Sequence, residues 1–88
     1  MNLKYARQFV AAARRLSVDD KRAVKLALEW FLENPTAPGL ANHALRGSLA
    51  GKRSISADGD LRIVFTERGG YVDVTLLDVG RHQDVYRP

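Results

Sequence analysis

His43 and His82 are the only histidines in the sequence. Imidazole is the side chain whose unperturbed pKa suits proton transfer near neutral pH. His43 stands in the polar, glycine-flanked run Asn42-His43-Ala44-Leu45-Arg46-Gly47, and His82 follows Val79-Gly80-Arg81. Both fall at predicted element ends, where a rigid scaffold presents functional groups. Lys52, Arg53 and Arg62 lie in or beside two predicted strands, so their cations could meet across a hairpin. Asp58 and Asp60 flank Gly59, where turn chemistry alone accounts for Asp58. Tyr71 and Tyr86 offer rings able to stack on a nucleobase or to pack in the protein. The set suits acid–base work on a polyanion.

Other chemistries lack their residues. The chain has no cysteine, hence no disulfide, thiolate zinc site or thiol nucleophile. It has neither a Gly-rich phosphate loop followed by Lys-Ser/Thr nor a GxGxxG run. Two histidines without cysteines are a poor basis for a metal site, and none is predicted. Ser48, Ser54 and Ser56 could be drawn into a Ser-His-Asp triad, but no nucleophile elbow accompanies them.

The elements that must position these residues can be read from periodicity. Residues 4–16 predict an amphipathic helix with Tyr5, Phe9, Ala12, Ala13 and Leu16 on one side. Ser17 predicts an N-cap, with Asp19 and Asp20 at the positive end of the next helix dipole. That helix covers 18–33 with Ala23, Val24, Ala27, Leu28, Phe31 and Leu32 on one broad face, until Asn34-Pro35 stops it. Trp30 flanks the apolar face, either partly buried or free to meet a partner. After the loop from Pro35 the period changes to two: strands are predicted at 52–57, 61–67 and 71–79, with turns at Asp58-Gly59 and Gly69-Gly70. Asp84–Tyr86 could add a short last strand. Phe9, Phe31 and Phe65 read as core.

The expectation is an α+β fold, an N-terminal antiparallel helical hairpin packed on a small, mainly antiparallel twisted sheet whose other face is open to solvent or ligand. One domain over 1–88 is expected, with the helical hairpin at 1–34, a loop at 35–51 and the β-meander with a C-terminal segment at 52–88. No run approaches 18 apolar residues and no signal peptide is visible, so a cytoplasmic protein is expected. The formal net charge is +4, and ten of the 14 basic residues are Arg, whose planar fork suits phosphate. Residues 1–34 carry seven basic against four acidic side chains and residues 35–66 four against two, whereas 67–88 carry three against four.

The run Asn34-Pro35, Leu40, His43, Leu45, Gly47, Gly51, Arg53, Asp60 and Arg62-Ile63-Val64-Phe65, followed by Val79-Gly80-Arg81-His82 and Val85-Tyr86, resembles the RelE/ParE toxin superfamily, especially its YafQ-like branch. The likeness spans nearly the whole chain. It implies the toxin of a type II toxin–antitoxin module, a ribosome-dependent mRNA endonuclease without metal or cofactor. Its partners would be a cognate antitoxin, with which it forms a hetero-oligomer, and the ribosomal RNA and mRNA. By the same resemblance His43, Asp60 and His82 match active-site positions, Tyr86 matches the aromatic four residues on, and Arg62 matches the cation of RelE-like members. The chain departs from the branch at Ser54 and Ser56, where Asp and His can stand. Cleavage by the RNA's own 2′-OH would then use His82 as general acid and His43 or Asp60 as base. Arg46, Lys52, Arg53, Arg62 and Arg81 would hold phosphate, and Tyr86 would stack on a base. A gyrase-directed toxin of the ParE type, or an RNA- or ribosome-binding module without catalysis, are the alternatives.

Overall fold

Five strands form one sheet in the order β1-β5-β4-β3-β2: β1 (Asn2–Tyr5), β2 (His43–Ala44), β3 (Arg53–Asp58), β4 (Leu61–Arg68) and β5 (Asp73–Arg81). Helices α1 (Arg7–Arg14) and α2 (Val18–Glu33) cover one face, and a one-turn helix, α3 (His82–Val85), lies on the other. These elements are those of a computed structural model that describes residues 1–86. The expected domain span of 1–88 runs past the described residues at positions 87 and 88. Among the described residues, no helix is long and apolar enough to cross a membrane.

Helix α2 has the predicted bounds for the predicted reasons. The Ser17 hydroxyl accepts the Asp20 N–H at 3.1 Å, and Asn34 leaves the helical conformation ahead of Pro35. Val24, Ala27 and Phe31 enter the core with Phe9 and Ala12 of α1, against Ile55, Ile63, Phe65, Val74 and Leu76 of the sheet. Phe31 and Phe65 meet edge to face at 5.0 Å between centroids, and Tyr71 closes on Phe31 at 5.9 Å. The T-shaped contact adds about 0.5–1.5 kcal/mol to the area buried. Trp30 is 46% exposed, its ring lying over Gly39, where a Cβ atom would come within 2.2 Å of it.

Six expectations are corrected. Residues 4–16 do not form one helix: Asn2–Tyr5 is a strand, paired in parallel with Asp73–Leu76 of β5, and α1 starts at Arg7. Tyr5 still touches Phe9 at 5.9 Å, so a strand-to-helix junction reproduces the helical four-residue spacing. The hydrogen bonds that make β1 a strand come from the β5 edge, which local periodicity cannot see. Within the expected loop 35–51, His43–Ala44 forms β2, pairing with Ser54 and Arg53. The expected last strand at Asp84–Tyr86 is instead helical, because Val85 folds back onto Gly80 and buries itself. The second sheet face is therefore only partly open: α3 packs over β5 and β4, where Val64 is buried, and Tyr86 just beyond it reaches the buried Ser54. Strand β5 also ends later than expected, at Arg81, which brings its end directly to His82. The β3–β4 hairpin is closed by Gly59-Asp60 rather than Asp58-Gly59, with Asp58 paired to Leu61 and Gly59 at φ +50°.

Candidate functional site

Alternation along β3 sorts the predicted residues onto two faces. Ile55 points into the helical core, so Arg53 shares its side while Lys52, Ser54 and Ser56 take the other. Register carries this second face across the sheet. His43 stands opposite Ser54, Val64 on the other flank of Ser54, and Arg62 opposite Ser56. Directly opposed residues of an antiparallel pair share a face with Cβ atoms about 4.5–5.5 Å apart.

Helix α3 adds His82 and Tyr86 to that face. The two residues are one helical turn apart, and their rings meet nearly at right angles with centroids 4.3 Å apart. The Tyr86 hydroxyl donates to Ser54 Oγ, the one buried polar side chain among the described residues. A continuous path follows: His82 to Tyr86 by ring contact, Tyr86 to Ser54 by hydrogen bond, Ser54 to His43 by cross-strand pairing. Both imidazoles are exposed at its ends.

The tautomer of His43 can be derived. Its Nδ1 lies 2.9 Å from the Ala41 carbonyl oxygen. A carbonyl only accepts, so Nδ1 carries the proton and donates, and the neutral ring presents Nε2 as an unprotonated acceptor. That is the form a general base needs. Ala41 holds its carbonyl there from a left-handed conformation, φ 49° and ψ 43°, unusual for a residue with a Cβ.

The cations separate into three groups. Arg62 folds over the hairpin, donating to the Gly59 carbonyl and, at 3.3 Å, to Ser56 Oγ. Lys52 and Arg46 flank the same face, Lys52 beside Val64 and Val85, and Arg46 on the wall of a cavity of about 390 Å³ between Tyr86 and the Leu45–Leu49 loop. Arg53 is not brought to His82: its Nε donates to Asn42 Oδ1 at 2.9 Å, and Asn42 in turn donates to Tyr71 Oη and the Pro35 carbonyl on the helical side. Arg81 is occupied as well. One nitrogen reaches Asp60 at 2.9 Å and another Asp20 at 2.7 Å. The hydrogen bond donated to Asp60 chiefly, together with the charge of Asp20, holds the Arg81 pKa above its ordinary value against partial desolvation. Asp60 thus sits against Arg81 by its carboxylate and under His82 by its backbone, its carbonyl accepting the His82 N–H at 2.9 Å.

Among the described residues, no group of three or more His, Asp and Glu converges in a way that could hold a metal ion. Sequence reasoning missed Ser54 as a tether for Tyr86 and Asp20 as a partner of Arg81. A serine at a position of β3 where the alternation puts polar residues was a usable signal for the first. Nothing local signals the second, which joins residues 61 apart.

No protein-family model matches this sequence, and no curated protein matches it. Solved structures do. The crystal structure of YafQ from E. coli strain BL21(DE3) aligns over 98% of both chains with a TM-score of 0.77 at 16% identity. The YoeB/ParE toxin from Agrobacterium tumefaciens aligns over 93% of this chain and 99% of its own, with a TM-score of 0.75 at 16% identity. The archaeal RelE–RelB complex from Pyrococcus horikoshii OT3 contains a chain that aligns over 92% of this one and 93% of its own, with a TM-score of 0.71 at 15% identity. The fold is the RelE-like toxin fold, helices on a five-stranded mixed sheet.

Proposed function

We propose that this chain belongs to the RelE/ParE toxin superfamily and is the toxin of a toxin–antitoxin pair, an endoribonuclease that cuts mRNA on the ribosome and so stops translation. The observation that carries the reading is the His82–Tyr86–Ser54–His43 path on one face of this fold. An acid and a base that flank a phosphodiester must be held apart and fixed, and a sheet with a docked turn does both.

The chemistry follows from what RNA supplies. His43 Nε2 takes the proton of a ribose 2′-OH, and the oxygen forms a bond to the adjacent phosphorus. The bond from phosphorus to the 5′-oxygen breaks, and that oxygen takes a proton from His82. The products are a 2′,3′-cyclic phosphate and a 5′-OH, with protons and electrons balanced between the two imidazoles. General acid–base groups contribute about 10²–10⁴-fold each. Arg62, Arg46 and Lys52 stabilise the charge that develops on the phosphorane, where loss of one donor costs about 10²–10³-fold. Tyr86 stacks on a base beside the cavity it shares with Arg46. Asp60, whose carboxylate is engaged by Arg81, is the less suited of the two candidate bases. The reaction is metal-independent and belongs in the cytoplasm, where translating ribosomes are.

A protein antitoxin is the second partner. The RelE relative is seen bound to RelB. On this chain an apolar groove between β1, α1 and α2, lined by Leu3, Phe9, Val24 and Leu28, is edged by two lysines, Lys21 and Lys25, against one acid, Glu29. That combination fits an acidic amphipathic segment.

The test is expression in a growing bacterial culture with mapping of mRNA 5′ ends on translating ribosomes. Wild type should halt growth and create new 5′-OH ends within coding sequence, and His82→Ala should do neither. New ends made equally by His82→Ala would refute the assignment. Growth arrest with DNA damage and intact mRNA would instead identify a gyrase-directed toxin.

A further inference from the structure

We propose that Arg81 is a positioning residue rather than a phosphate ligand. On this inference, which rests on the function proposed above, Asp20, Arg81 and Asp60 form a clamp that sets where His82 stands. The clamp joins three elements: Asp20 is in the first turn of α2, Arg81 ends β5, and Asp60 is in the β3–β4 hairpin. The two ion pairs, 2.7 and 2.9 Å, leave from different nitrogens of one guanidinium. A planar fork can span two carboxylates in this way, whereas an ammonium acts as a point charge. The next residue along the chain is His82, and its N–H is bonded at 2.9 Å to the carbonyl of the same Asp60. Asp60 therefore grips both sides of the Arg81–His82 peptide, by side chain and by backbone. The far end of the turn is fixed by Tyr86 on Ser54. Between these two anchors the His82 ring has little freedom to drift, and a misplacement of about 1 Å can cost about 10²-fold in rate.

A phosphate-binding role makes the opposite demand. To take a phosphate, Arg81 would first have to leave two carboxylates, and Asp20 and Asp60 would repel the incoming RNA. Neutralising either acid would then help substrate binding. In a clamp, neutralising either acid hurts turnover and leaves binding alone.

Arg81→Gln, Arg81→Lys, Asp20→Asn and Asp60→Asn separate the two roles. Cleavage is measured on ribosomes programmed with a defined mRNA, affinity with a short single-stranded RNA, and amide hydrogen exchange at His82 by NMR. The clamp predicts a fall of about tenfold or more in kcat for Arg81→Gln, with KM and RNA affinity within about twofold of wild type. Arg81→Lys should not restore the rate, and adding Asp20→Asn to Arg81→Gln should cost nothing further. Exchange at the His82 amide should speed up about tenfold while the amides of Phe65 and Ile63 keep their protection, which a general loss of stability would not produce. Weaker RNA binding by Arg81→Gln at unchanged kcat, or tighter binding by Asp20→Asn, would overturn the clamp. So would unchanged exchange at His82. If wild type cuts no mRNA, the proposed function fails, and the exchange measurement still decides the clamp.

Discussion

The two faces of the sheet are built on different principles. The face under α1 and α2 is apolar and continuous: Phe31, Ile55, Ile63, Phe65 and Leu76 are fully buried, and their packing holds the molecule together. The other face buries little beyond Val64, Val85 and Ser54, and otherwise presents His43, Arg62, His82 and Tyr86 along its edges. Even its buried hydroxyl, Ser54, serves to hold a half-buried ring. Stability and the candidate chemistry are therefore separated by the thickness of one sheet. Substitutions on the first face should act on folding and those on the second on rate.

The largest expected effect lies on the helical face. Phe31→Ala should cost about 3–5 kcal/mol in urea denaturation. For a domain whose total stability is about 5–15 kcal/mol, that is a large fraction of the total and moves the unfolding midpoint to much lower urea. A small loss would mean that the core does not depend on the Phe31–Phe65–Tyr71 cluster.

Gly80→Val is the corresponding challenge to the second face. A Cβ at Gly80 already comes to 3.3 Å from Val85 Cγ1, so the branched side chain must push α3 off the sheet. Stability should fall by only about 1–3 kcal/mol, while single-turnover cleavage drops by about 10²-fold as His82 moves. Retained activity would separate α3 docking from catalysis. Ser54→Ala should be milder, losing about 1 kcal/mol and a few-fold in rate because Tyr86 keeps its ring but loses its tether. Ser17→Ala should sharpen the contrast from the other side. It should cost about 1 kcal/mol through the lost helix cap, with no change in rate per folded molecule.

The same division explains how much of the molecule was legible in its sequence. Helix α2 and strands β3 and β4 follow from Ser17, Asn34-Pro35 and the change of period, all local signals in segments of six residues or more. The short elements do not. Asn2–Tyr5, His43–Ala44 and His82–Val85 take their conformation from β5, β3 and the floor at Gly80, partners distant in sequence or supplied by folding back. Two of these short elements, β2 and α3, carry His43 and His82 of the candidate site. His43 and His82 stood out by residue type and setting, and Tyr86 by its ring and by the family resemblance. The division of the arginines was not, because Arg53 and Arg81 find their partners, Asn42 and Asp20, only in the folded chain.

The central claim is that His82 protonates the leaving 5′-oxygen while His43 opens the attack. It can be tested by single-turnover cleavage on programmed ribosomes, using an mRNA whose scissile 5′-oxygen is replaced by sulfur. A thiolate leaves without help from an acid, so the account predicts that His82→Ala, about 10²–10⁴-fold slower on normal RNA, returns close to the wild-type rate on the sulfur substrate. His43→Ala should stay slow on both. Rescue of His43→Ala instead of His82→Ala, or a normal rate for His82→Ala on unmodified RNA, would contradict it.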